Sequence, residues 1–272
     1  MVMITREPEF FPPPINRLGQ FGRIILLNCR SVGQGLLVLG EALLDLRFVF
    51  SRRSRPEVLH QLYVTGIKSL GVISVVAMFT GMILALQTGL ELRKFGQEVN
   101  IGAAVMVSLL REMGPFMTAL ILAASVGSAI SAELGTMVVS EEIAALEVMS
   151  ISPVRMLVMP RLAALMIMTP ILTFYASMLG VIGGGIVGLT QLGVSISAYM
   201  DNAVRFAENK DLYVGLVKAF VFGIMITIIA CHQGFVTSEG AVGVGRATRR
   251  SVIISFLSIL VVGYVITRLF YQ

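Results

Sequence analysis

Apolar and polar residues in this chain are separated into blocks rather than interleaved. Residues 69–90 carry no charge until Glu91 closes them, and residues 113–132 run for 20 positions without Asp, Glu, Lys or Arg. Twenty apolar residues in a helix cross one bilayer core. Three more blocks of this kind follow at 162–191, 219–235 and 251–267. The third block, 162–191, is longer than a bilayer needs, which predicts a tilted helix or one ending in a non-spanning turn. Upstream, residues 24–50 are apolar but broken by Arg30, Glu41 and Asp45. Such charges stay wet if the helix lies in the interface, so an interfacial elbow is favoured over a further span. Residues 1–20 read as an irregular, Pro-rich lead-in. The pattern predicts an all-α integral membrane protein: an N-terminal interfacial elbow plus five transmembrane helices. Residues 1–60 form the lead-in and elbow, and residues 61–272 the five-span domain.

The loops fix the expected orientation. Arg47, Arg52, Arg53 and Arg55 precede the first span, and Arg246, Arg249 and Arg250 stand between the fourth and fifth. The loop holding Glu91, Arg93, Lys94 and Glu98 is neutral, and the one holding Asp201, Arg205, Glu208, Lys210 and Asp211 is net −1. Basic loops stay inside, so the N-terminus is placed in the cytoplasm and the C-terminus outside.

Residues 140–152, between the second and third spans, differ from the other connections. Ser140 is a plausible helix cap, with Glu141 and Glu142 in a first turn where the helix dipole favours anions. Ile143, Leu146 and Met149 then share one face and Glu147 points away, before Ser152-Pro153 opens a new helix. A short helix of this type lies flat on lipid or fills a groove on a partner protein. Its acidity opposes an anionic cytoplasmic leaflet, which favours the partner.

Small residues recur at every fourth position: Gly81, Ala85 and Gly89; Gly127, Ser131 and Gly135; Gly180, Gly184 and Gly188; Gly215, Ala219 and Gly223. Such ridges let membrane helices approach closely, in a compact bundle or at a subunit interface.

Composition agrees with a membrane protein: 56% hydrophobic, 14% charged, mean hydropathy +0.87. The net charge of +5 follows the loops and reads as topology, not as a nucleic-acid surface. Cys29 and Cys231 have neither disulfide nor metal spacing and read as packing residues. His60 and His232 are isolated, His232 reading as a core residue. No phosphate-binding loop, HExxH pair or nucleophile elbow is present, so the chain is expected neither to bind ATP in that way nor to be an enzyme. Arg111-Glu112 is the one charged pair beside a span. It fits the outer headgroup level or the mouth of a cavity, where Arg meets phosphate as a bidentate donor. Glu133, at the inner end of the same span, reads as a packing carboxylate.

Four runs carry a resemblance: LREMGP (110–115), AELGTM (132–137), SEEIAALEVMSISPVRMLVMPR (140–161) and TSEGAVGVGRATRRSV (237–252). Together they resemble the MlaE/YrbE permeases, membrane subunits of ABC transporters that move phospholipids with MCE-domain proteins. The resemblance covers about residues 60–270. It implies a homodimer on two copies of a separate ATPase subunit, which binds the ATP and Mg, with no cofactor in this chain. It implies that residues 140–152 form a cytoplasmic coupling helix, with Glu141, Glu142, Ile143, Leu146 and Met149 in the ATPase groove. Gln87, Arg111 and Glu112 would line an outward-open phospholipid cavity. A periplasmic hexameric MCE ring would cap it, and in some members a STAS-domain protein binds the ATPase. The implied location is the bacterial inner membrane. The sequence departs from the family pattern where many members have Ala-Gly-Arg-x-Gly and this chain has Ala123-Ala124-Ser125-Val126-Gly127. It departs again at Ala144, Glu239 and Arg249. The competing readings are an ion-driven secondary transporter, which would need ionisable residues amid broken helices, and a non-transporting scaffold.

Overall fold

The computed structural model describes residues 55–272, together with Gly33 and Gly40. The elbow expected at 24–50 lies outside the described residues. Among the described residues every regular element is helical, and five helices are long and apolar enough to cross a membrane. We label them with the two short helices in chain order: α1 (Arg55–Arg93), α2 (Glu98–Val139), α3 (Glu142–Val148), α4 (Val154–Gln191), α5 (Ile196–Phe206), α6 (Asn209–Phe235) and α7 (Gly240–Tyr271).

Each span is longer than its charge-free block, because the flanking polar residues continue the same helix. α1 begins at Arg55 rather than at 69, with Pro56 in its first turn where its missing N–H is no loss. Its 39 residues reach about 58 Å at 1.5 Å per residue, well beyond a bilayer core. One strict four-residue repeat, Thr65, Ser69, Ile73, Ala77, Gly81, Ala85 and Gly89, is buried along its length. α1 ends where Gly96 takes φ +66. Gly96 N–H then returns to Arg93 O and Gln97 N–H to Leu92 O, which satisfies carbonyls the helix end would leave unpaired.

α2 and α4 each contain a turn wound in the wider π register, Leu109–Met113 and Val154–Val158, and in both a proline follows two residues later, Pro115 and Pro160. Proline lacks the N–H for the carbonyl one turn back and its ring crowds that carbonyl, so widening the preceding turn relieves the clash. α2 has a second π turn, Ala123–Gly127, the stretch in which the family pattern is not kept.

The described residues divide into two compact units: 55–58, Gly127–Ala163 and Thr227–Ile253 in the first; Leu59–Val126, Ala164–Ile226 and Ile254–Gln272 in the second. In the second unit the small-residue ridges pack helix on helix. A Cβ on Gly81 would overlap the Gly180 backbone carbonyl; on Gly215, that of Leu110; on Gly223, that of Leu165. Lipid tails are as apolar as leucine, so this close backbone approach is what holds the helices together. These ridges therefore serve packing within the chain.

The stretch read as a loop between the third and fourth spans contains the helix α5. Ser195 caps it, accepting from Ala198 N–H at 3.3 Å. Tyr199 and Ala203, one turn apart, are buried, with Tyr199 in a core of Ala85, Ile101, Val105, Leu109, Val181, Val187 and Val194. The Tyr199 hydroxyl donates to Val181 O at 3.1 Å. Burial pushes its pKa up to about 12, because a phenolate would lose its water.

Candidate functional site

Arg111 and Glu112 lie inside the π turn of α2. A π turn advances successive side chains by less than an α turn, and Arg111 and Glu112 engage different neighbours. Arg111 donates through Nε at 3.0 Å and Nη2 at 2.8 Å to Asp211 Oδ1 on α6. Its guanidinium stacks on the Tyr271 ring of α7 at 4.0 Å, and the Tyr271 hydroxyl donates to the same Asp211 oxygen. Lys210 approaches that ring at 4.9 Å. Asp211 is 1% exposed, so the three donors offset the desolvation of its charge.

Glu112 pairs instead with Lys218 on α6, Nζ to Oε1 at 2.6 Å. Lys218 also donates to Thr267 Oγ1 at 2.7 Å and to the Arg111 carbonyl at 2.9 Å. Pro115, four residues on, has no N–H to offer that carbonyl. All three donors of Lys218 are thus engaged. Arg111 is used differently: two of its five N–H donors go to Asp211, it also meets the Tyr271 hydroxyl, and its side chain is 34% exposed.

Sequence reading found Arg111 and Glu112 but missed Asp211, Lys218, Thr267 and Tyr271. By sequence alone Asp211 belongs to a loop between spans, and Lys218 stands just before the charge-free block. The signal was their seven-residue spacing, which puts an acid and a base on one face of a helix two turns apart. Gln87, the third residue expected in a lipid cavity, is exposed on α1. No hydrogen bond joins it to Arg111 or Glu112 among the described residues.

In the first unit, the residues expected to grip an ATPase surround α3. Ser140 does not cap this helix. It is the C-cap of α2, its hydroxyl donating to Thr136 O at 3.1 Å and to Glu142 Oε1 at 2.9 Å. The N-cap of α3 is Glu141, held at φ +61, and Ser150 beyond its other end is at φ +59. Two non-glycine residues in the left-handed region make tight corners on both sides, and such strain persists only where the surroundings dictate it. Ile143 and Leu146 are half-buried, whereas Glu141, Glu142, Glu147, Val148 and Met149 are exposed. Met149 is the C-cap and 60% exposed. Ser152 and Pro153 do open α4, with Arg155 N–H donating to Ser152 Oγ at 3.4 Å.

Behind α3, Glu133 of α2 pairs with Arg161 of α4, Oε2 to Nη2 at 2.9 Å, and Arg161 Nη1 donates to Leu157 O at 2.8 Å. Cys231 and His232 of α6 are buried, as packing residues would be. Among the described residues no group of three or more His, Cys, Asp or Glu could hold a metal.

Five apolar spans with ion pairs between them, and a cornered, exposed helix between two of the spans, are the make-up of a polytopic membrane permease. Comparison with known proteins gives the family. The family described as Permease MlaE matches residues 58–269. A probable ABC transporter permease protein of Rickettsia prowazekii is 40% identical over 215 residues, covering 79% of this chain and 83% of that one. The intermembrane phospholipid transport system permease protein MlaE of Haemophilus influenzae is 32% identical over 260 residues, 94% and 98% of the two chains. The chloroplastic protein TRIGALACTOSYLDIACYLGLYCEROL 1 of Arabidopsis thaliana is 35% identical over 214 residues, 79% and 61%. The chain belongs to the MlaE permease family.

Proposed function

We propose that this chain is the membrane subunit of an ABC transporter that moves phospholipids between the inner membrane and a periplasmic MCE-protein partner. A separate ATPase subunit would bind ATP and Mg, this chain holding no cofactor. The names of the Haemophilus and Rickettsia relatives support this reading. The chain would then comprise a lead-in and elbow (1–60) and a five-span permease domain (61–272). Five crossings would leave the two termini on opposite faces, with the basic loops favouring a cytoplasmic N-terminus and a periplasmic C-terminus.

The observation that carries the substrate is the unequal use of the paired charges. Lys218 is fully engaged and 1% exposed, whereas Arg111 keeps N–H groups beyond those turned to Asp211 and Tyr271 and a third of its surface. A guanidinium held flat by Asp211 and Tyr271 presents its free edge in the geometry a phosphate diester accepts. Arg111, with the part-exposed Glu112 and with Gln87, lines the lipid cavity, which a second copy of the chain completes as a homodimer.

Glu141, Glu142, Ile143, Leu146 and Met149 enter the ATPase groove. ATP binding would close the motor dimer, move the two α3 helices together and squeeze the cavity against a hexameric MCE ring. In some systems a STAS-domain protein would sit on the ATPase.

The test is purification of the native complex with Glu142→Lys or Leu146→Asp. Loss of ATPase association and lipid transport with the bundle intact is expected. If both variants still hold and drive the ATPase, α3 is not the coupling helix. Recovery of a complex that contains no ATPase would identify a scaffold instead.

A further inference from the structure

The Glu133–Arg161 pair lies outside the lipid network and makes no part of the face offered by α3. Its geometry is that of a joint. Glu133 stands two turns before the end of α2, and Arg161 two turns after the start of α4. The ion pair closes a segment of 28 residues that contains α3 and both left-handed corners, Glu141 and Ser150. The end of α2 is also held from α6 and the turn after it. A Cβ on Gly234 would press on the Leu134 side chain, and one on Gly135 on the Thr237 hydroxyl.

The partners are unequal. The Arg161 side chain is 8% exposed and Glu133 59%. Arg161 gives Nη1 to Leu157 O within its own helix and Nη2 to Glu133, while its Nε is buried without a partner. A buried guanidinium with an unused donor contributes little net stability, since its desolvation offsets most of the attraction. What such a pair supplies is a fixed direction, because the planar fork holds its acceptor at one angle.

We propose that Glu133 and Arg161 are positioning residues which lock the end of α2, α3 and the start of α4 into one lever. This rests on the reading of α3 as the segment an ATPase moves. Without the pair, α2 and α4 are joined in this segment through the corners at Glu141 and Ser150, and a push on α3 is absorbed by rotation there. With the pair, the three segments close into a ring, and displacement of α3 passes to both spans together. α2 is the helix that carries Arg111 and Glu112 earlier along its length.

The experiment uses the full transporter, ATPase included, in liposomes of phosphatidylethanolamine and phosphatidylglycerol with a fluorescent phospholipid as probe. Lipid moved per ATP hydrolysed is compared for wild type, Glu133→Gln, Arg161→Glu and the exchanged pair Glu133→Arg/Arg161→Glu. Glu133→Gln is expected to keep its ATPase bound and hydrolysing while lipid per ATP falls roughly fivefold or more. The exchanged pair should recover most of that loss, which Arg161→Glu alone does not. Unchanged lipid per ATP in Glu133→Gln overturns the proposal, as does an exchanged pair no better than Arg161→Glu. Loss of the folded complex in Glu133→Gln also overturns it, by making the pair a requirement of the fold. Failure of the underlying reading looks different: Glu142→Lys would then retain a coupled ATPase whatever happens at Glu133.

Discussion

Replacing Lys218 tests the electrostatic reading of the bundle most directly. Its side chain is 1% exposed, and its ammonium serves Glu112, Thr267 and the Arg111 carbonyl. Lys218→Met keeps most of the apolar stem and removes all three donors. Glu112 is 42% exposed and regains water, so its share after screening is under about 1 kcal/mol. Thr267 retains Gly263 O and Glu112 as acceptors for its hydroxyl. The Arg111 carbonyl cannot turn to Pro115, which has no N–H, and an acceptor left orphaned costs about 1–3 kcal/mol. Relief of the buried ammonium offsets part of this, which leaves a net destabilisation of about 1–3 kcal/mol. The attribution is then checked by Pro115→Ala, which gives that carbonyl a backbone N–H. In the double variant about 1 kcal/mol of the Lys218→Met loss should return, in line with hydrogen bonds measured inside membrane bundles. Equilibrium unfolding in mixed micelles with rising SDS, on wild type, both single variants and the double, yields the coupling. Additivity within about 0.3–0.5 kcal/mol would refute the link between Pro115 and Lys218.

Four further outcomes are expected. Arg111→Lys keeps the charge but loses the fork, so phospholipid occupancy read by mass spectrometry should fall several-fold while the ATPase stays bound; Arg111→Ala should also destabilise by about 3 kcal/mol through the stranded Asp211, unless Asp211→Asn accompanies it. Gly81→Leu must displace the Gly180 backbone and should lose about 1–3 kcal/mol in the same unfolding assay, whereas Gly71→Leu, with nothing within 4 Å of a Cβ, should be near neutral. The Tyr199 hydroxyl, with its pKa pushed up from 10 to about 12, keeps its proton longer in the folded state. Its contribution is complete below pH 10 and is lost as pH rises toward 12, so wild type should lose up to about 2–3 kcal/mol over that window relative to Tyr199→Phe. Ser150→Val puts a β-branched residue at φ +59 and should lower thermal stability by about 1–2 kcal/mol, which Ser150→Gly should not.

How much was legible in the sequence follows from what kind of information each feature needs. Five spans were readable because desolvating a charge in hydrocarbon is so unfavourable that apolar runs of bilayer length have few other uses. The turn before α4 was readable because Ser152-Pro153 acts on its own neighbours. The four-residue ridges were visible as ridges, but which backbone each would meet was not. Gly81 against Gly180 is a contact across 99 residues, and nothing local encodes it.

Local spacing alone also misled. Ser140 looks like a helix cap, yet α2 runs on through Val139 and takes Ser140 as its end, leaving the corner to Glu141. α5 was lost among the charges of a loop because its identity depends on Tyr199 finding a pocket lined by α1, α2 and α4. The charged pair shows the division most clearly. The chain order announced Arg111 and Glu112 as ionisable groups at a membrane helix, hence as groups that needed partners. Only the folded arrangement chose Asp211 and Lys218 for them, through the direction the π turn gives each side chain and the carbonyl to which Pro115 has no N–H to offer. A burial requirement is written into residue type; its satisfaction depends on which helices stand side by side.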